Sequence, residues 1–215
     1  MPNFWWAGRW TIGVILAESA GLGLVCGSPA CGRPEANWSL DTKGANLSAG
    51  EKVLSGSVLE SWVDFNGHMA DASYGIVLSD TITAFMDMIG IDAEYRLKTN
   101  NTIYTMEMRI LYLRECHKGQ KFDVLMQVID HDEKRFHTFV RIVDEESGED
   151  VAWGEQLLLH THQDPVSGPR SCPFPPEIMD KLEAYRVAHR GLEVPPWIGS
   201  RIGIRRKRSA MDAGR

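Results

Sequence analysis

Tyr74-Gly75-Ile76-Val77-Leu78-Ser79-Asp80-Thr81-Ile82-Thr83-Ala84-Phe85-Met86-Asp87-Met88-Ile89-Gly90 decides the fold of this chain. Within it Tyr74, Val77, Leu78, Thr81, Phe85 and Met88 recur at three- and four-residue spacing, and Gly90 supplies a C-terminal stop. The spacing predicts one helix of about five turns. Its opposite face carries only the weak polarity of Ser79, Asp80 and Thr83, so the helix is expected to be covered on most sides and to sit centrally.

Upstream, Val53, Leu54 and Val58 read as a first strand leading to the turn pair Asn66-Gly67. Downstream, residues 103–161 change to period two. Tyr104, Met106, Met108, Ile110 and Tyr112 are placed on one face, with Thr105, Glu107 and Arg109 on the other. Further strands are expected at Phe122–Ile129, Phe136–Ile142 and Val151–His160, separated by His117–Gln120, Asp130–Lys134 and Glu145–Asp150. Strand, long helix, then antiparallel meander gives an α+β fold, the helix held against a curved sheet. The Pro-rich residues 165–176 read as a boundary, followed by a short amphipathic helix with Ile178, Leu182, Tyr185 and His189 on its docking stripe.

The 215 residues suit one domain with appendages, taken as residues 53–165, with a Pro-rich segment and short helix over 166–200. Residues 1–52 are expected to be an extension, poorly ordered or not natively made, since Glu18 interrupts the apolar run from Trp10 to Val25 and no cleavage site follows it. Spanning of a membrane is not expected. The net charge is −6, and the last fifteen residues carry six basic side chains against Asp212, a +5 tail over 201–215 on a body of −11. So acidic a body excludes nucleic acid as the default partner, because that affinity rests on concentrated Lys and Arg. Cys26, Cys31, Cys116 and Cys172 are too scattered for a disulfide scaffold and fit a reducing, cytoplasmic setting. His160 and His162 share a strand face but lack a third ligand, so they read as a surface pair and no metal is implied.

The densest reactive cluster is Asp64-Phe65-Asn66-Gly67-His68, in a turn just before the central helix. Unpaired N–H groups and the positive dipole end at a helix start polarise a carbonyl oxygen, and a nearby carboxylate activates water or attacks. Thioesters suit so sparse an apparatus, because a thiol of pKa about 8.5 leaves with little help from an acid. By residue type alone, Asp and Asn before a helix serve equally as turn formers or caps.

Trp62-Val63-Asp64-Phe65-Asn66-Gly67-His68-Met69, Tyr74 and Gly90-Ile91-Asp92 together resemble the hot-dog-fold acyl-CoA thioesterases, the 4-hydroxybenzoyl-CoA thioesterase-like group with its D-x-x-G-H-V/M-x-x-x-x-Y signature. Ile103–Glu107, Tyr112–Glu115, His131–His137 and Gln156–His160 extend the likeness to the branch that includes betainyl-CoA thioesterases, over residues 53–190. The resemblance implies hydrolysis of a short polar acyl-CoA, betainyl-CoA first, and at least a homodimer or a homotetramer. It implies no cofactor beyond the coenzyme A of the substrate. Another short, medium-chain or aromatic acyl-CoA, a dehydratase activity on the same fold, and a non-catalytic acyl-CoA-binding module are the alternatives.

Carried onto these residues, the resemblance makes Asp64 the general base or nucleophile and has Asn66 and His68 shape the site. Glu107 is either a second carboxylate near Asp64 or the partner of Arg109 or another sheet neighbour. Trp62, Phe65, Met69, Ala70, Asp71, Tyr74 and Tyr104 are expected to line the substrate site, with Tyr112 and Trp153 as further aromatic candidates. A trimethylammonium group has no N–H to donate and calls for aromatic faces. Members of the family carry Asn after the His-Met pair, where this chain has Ala70, which removes a hydrogen bond from the helix start.

Overall fold

The period-two runs become the long strands of one antiparallel sheet. A computed structural model describes residues 50–203. In chain order these are β1 (Glu51–Ser57), a 3-10 turn (Glu60–Trp62), α1 (Asp71–Ile89), α2 (Ala93–Thr99), β2 (Asn101–Tyr112), β3 (Lys121–His131), β4 (Arg135–Asp144), β5 (Asp150–Asp164), β6 (Gly168–Ser171) and α3 (Pro176–Ala188). The sheet order is β1-β3-β4-β5-β2, with β6 pairing the far end of β5. The apolar run at the N-terminus and the basic run beyond residue 203 lie outside the described residues.

α1 is the expected central helix, and its sequence explains its depth. Val77, Leu78, Phe85 and Ile89 are wholly buried, while Asp71, Ala72, Thr83 and Asp87 alone on the helix are exposed. Gly90 ends it in the left-handed region at φ 94°, and Ile91 N–H closes the turn on Met86 O at 2.8 Å. Gly154 of β5 lies close under α1: an added Cβ there would stand 2.1 Å from Leu78 Cδ2. α3 docks through buried Ile178 and Leu182, through Tyr185 against Phe85 at 5.1 Å, and through Lys181 Nζ donating to Ile89 O at 3.0 Å. His189 closes this contact, its Nδ1 accepting Val128 N–H at 3.0 Å. Among the described residues, no single helix is long and apolar enough to cross a membrane.

Four expectations are corrected. A bulge between Thr105 and Glu107 breaks the alternation of β2, so Ile103, Met108 and Ile110 pack on the core while Tyr104 and Met106 are exposed. The Pro-rich boundary contains β6, short because Pro169 cannot donate to a ladder. His160 is no surface residue. It is fully buried: Tyr95 Oη of α2 lies 3.0 Å from Nε2, and Nδ1 faces the carbonyls of Cys172 and Pro173, just after β6, at 3.1 and 3.0 Å. Trp153 points to the sheet face away from α1, stacked on Trp197 at 6.2 Å, and leaves the set of ligand-facing aromatics.

α2 was not expected. Its seven residues are too few for a periodic signal, and it stands on its caps: Asp92 Oδ1 accepts Tyr95 N–H at 2.8 Å, and Asn100 turns left-handed at φ 55°.

Candidate active site

The segment between the 3-10 turn and α1 is a tight reversal. Val63 and Met69 pair across it, Asp64 N–H donates to His68 O at 2.9 Å, and Gly67 N–H donates to Asp64 O at 3.0 Å. Gly67 takes φ 81°, a conformation that explains why glycine follows Asn66. Met69 N–H bonds Cys116 O and Ala70 N–H bonds Trp62 O, both at 2.8 Å, which fixes the reversal against the start of α1.

Asp64 organises the turn with its own carboxylate. Oδ1 accepts the N–H of Asn66 at 2.8 Å and of His68 at 3.4 Å, and Oδ2 accepts Asn66 Nδ2 at 3.3 Å. The Asn66 N–H, foremost among these donors, holds the carboxyl below its usual range, against a smaller opposing effect of desolvation. The group is therefore anionic at neutral pH. His68 Nε2 lies 3.2 Å from Glu115 Oε2, and its ring sits 4.9 Å from that of His117.

Beside the turn opens a cleft of about 300 Å³, walled by His68, Met69, Asp71 and Tyr74 on one side and Tyr112, Leu113, Arg114 and Glu115 on the other. Tyr74 is buried and meets Tyr112 edge-on at 5.2 Å, while Tyr112 Oη donates to Asp71 O at 3.3 Å. Burial, then the bond to Cys116, pushes the Tyr74 phenol well up, and burial followed by the charge of Asp71 raises that of Tyr112. Both stay protonated. Burial likewise raises the Cys116 thiol. Ala70 is the N-cap of α1 and offers no side-chain acceptor; Ala72 N–H donates instead to Asp71 Oδ1 at 2.7 Å, and Ser73 N–H to Ala70 O at 2.9 Å.

The residues singled out in the sequence thus fall into groups. His68, Met69, Asp71 and Tyr74 line the cleft; Asp64 and Asn66 build the turn behind His68 and are not among its walls. Phe65 projects from the tip of the turn, 97% exposed, and Trp62 is buried beneath it. Tyr104 lies apart, exposed on β2, with Gln163 Nε2 donating to its hydroxyl at 2.9 Å. Glu107 lines a different cavity, about 730 Å³, on the sheet face turned from α1. Arg109 does not pair with it: that guanidinium lies 4.7 Å over Trp197 and donates to Ser200 O at 2.9 Å. Leu113, Arg114 and Glu115 belong to a stretch that carries the family likeness but were given no role there, and only the fold brings the end of β2 opposite α1.

A buried helix held in a six-stranded antiparallel sheet, with an Asp-Asn-Gly-His turn at its start, defines a hot-dog thioesterase architecture. The chain belongs to the Thioesterase-like superfamily, whose family model matches residues 58–182. It is 40% identical over 147 residues to a betainyl-CoA thioesterase of Pseudomonas aeruginosa, a match covering 68% of this chain and 91% of that one. It is 35% identical over 165 residues to an L-carnitine dehydrogenase/betainyl-CoA thioesterase of Rhizobium meliloti, covering 77% of this chain and 32% of that longer protein. Among solved structures, a putative thioesterase of Pseudomonas putida superposes with a TM-score of 0.63 at 32% identity, covering 73% of this chain and 98% of that one. A hypothetical protein of Staphylococcus aureus, in complex with CoA, superposes with a TM-score of 0.65 at 26% identity, covering 75% and 100%.

Proposed function

We propose that the protein hydrolyses betainyl-CoA to glycine betaine and CoA, with Asp64 and the first-turn amides of α1 as its apparatus. The observation that carries this reading is the anionic Asp64 turn fixed against the start of a buried helix whose N-cap residue makes no side-chain bond, beside a cleft of acyl-group size. The amides polarise the thioester oxygen and hold the charge that develops on it, while Asp64 attacks the carbonyl or takes a proton from the attacking water. CoA leaves as thiolate. No metal or redox group is invoked, and CoA enters only as part of the substrate. The likeness to named betainyl-CoA thioesterases supports the choice of acyl group.

The same reading places the enzyme in the cytoplasm, in keeping with the free thiols of Cys116 and Cys172. It also makes the protein at least a homodimer. β2 is an edge strand that exposes Tyr104, Met106 and Leu111, the kind of edge that a second copy covers.

Release of free thiol from betainyl-CoA, acetyl-CoA, a medium-chain and an aromatic acyl-CoA tests the proposal, with Asp64→Ala alongside. Asp64-dependent turnover that favours betainyl-CoA is expected. Turnover of the other esters alone overturns the acyl assignment, and saturable binding with no release from any ester replaces the enzyme by a binding module.

A further inference from the structure

We propose that the cleft selects its acyl group by positive charge rather than by shape, with Glu115 as the residue that sets the preference. The inference rests on the thioesterase reading and adds to it a residue to which the sequence reading gave no role. Three features of the cleft point the same way. Two aromatic rings line it, Tyr74 buried and Tyr112 half-exposed, 5.2 Å apart and edge to face. Its charged walls include two carboxylates, Asp71 and Glu115. Its arginine is turned to another task, since Arg114 Nη2 donates to Glu149 Oε1 at 2.8 Å and so is drawn to the β5 side.

A quaternary ammonium is the group such a wall suits. It has no N–H, so it gains nothing from directional acceptors, and its charge is spread over methyl groups that pack on aromatic faces. Glu115 is the stronger of the two carboxylate candidates. Asp71 lies in the first turn of α1, where one oxygen already accepts Ala72 N–H at 2.7 Å and where the helix dipole opposes a cation. Glu115 lies outside the helix on the cleft wall, its side chain 70% exposed, and engages His68 through Oε2 at 3.2 Å. An acyl group with a terminal carboxylate meets repulsion at the same wall.

The decisive pair of substrates is betainyl-CoA and 3,3-dimethylbutanoyl-CoA, in which carbon replaces the charged nitrogen and the shape is retained. The native protein is expected to favour betainyl-CoA in kcat/KM by at least ~10-fold. Glu115→Gln should cut that ratio several-fold through the charged ester, and Tyr112→Leu should cut it by removing an aromatic face. Glu115 is exposed, so the melting temperature of the variant should match that of the native protein. Equal turnover of the two esters by the native protein, or a ratio unmoved by Glu115→Gln, overturns the inference and leaves the thioesterase standing. Absence of thiol release from both overturns the thioesterase instead. The charge preference is then read from calorimetric affinities of the two esters, where an equal affinity overturns it as well.

Discussion

The Asp64 carboxylate holds three donors of its own turn, so its charge and its shape are separable by substitution. Asp64→Asn keeps an oxygen for the Asn66 N–H and removes the charge; Asp64→Ala removes both. If Asp64 is the base or nucleophile, Asp64→Asn lowers turnover by ~10²–10⁴-fold with the thermal midpoint nearly unchanged. Asp64→Ala should lose as much activity and some stability as well. A variant Asp64→Asn with native turnover would leave Asp64 as a turn former only. Ala70 gives a second test at this scale. It caps α1 with no side-chain oxygen, so Ala70→Ser should stabilise the protein by about 0.5–2 kcal/mol, read from urea denaturation.

At the scale of elements, the contact of β5 with α1 and the joint of β5 with β6 each make a prediction. Gly154→Ala drives a methyl into Leu78, a side chain with no exposed surface to move toward, and should cost ~1–3 kcal/mol. Gly154→Ala combined with Leu78→Ala should cost less than the sum of the two single changes. At the β6 joint, burial pushes the imidazole of His160 below its ordinary range despite the two carbonyls it faces, and burial does the same to His189. The unfolded chain takes up protons on these side chains near pH 6.5 and the folded chain does not. Stability is therefore full above that pH and falls as the pH drops from about 7 to 5. Asp132 and Glu183, each held at about 2, add stability that is present above the unfolded carboxylate range and lost only in stronger acid, outside that window. The urea midpoint should drop between pH 7.5 and 5.5, and should drop less in His160→Asn. The sequence announced α1 through an unbroken periodicity and the long strands through alternation. It was silent where one residue breaks a period, as at the β2 bulge, or where an element stands on caps, as in α2. The site divides in the same way: the turn from Asp64 to Met69 has a local pattern, whereas Tyr112 and Glu115 face it only because β2 ends opposite the start of α1.

For the whole molecule, the proposed homodimer makes its prediction at β2. Its outer edge has no partner strand among the described residues, and Met106, the extra residue of the bulge, is 57% exposed between exposed Tyr104 and the opening of β2 toward Leu111. An edge of this length without a lysine or proline on it is open to pairing. A charge placed at its centre should be tolerated by the single chain and not by a pair, since two copies related by a two-fold axis bring the same side chain near itself. Met106→Lys is therefore expected to shift the protein from dimer to monomer in light scattering coupled to gel filtration, with the far-ultraviolet spectrum unchanged. The activity of that monomer carries the further information. β2 reaches the cleft at its last residue, Tyr112, so a partner paired along this edge would approach the place where the acyl group sits. Loss of turnover together with the dimer would assign part of the site to the second copy. A monomer as active as the native protein would assign the whole apparatus to the Asp64 turn, the start of α1 and the end of β2 of one chain. A dimer that persists in Met106→Lys would move the interface away from this edge.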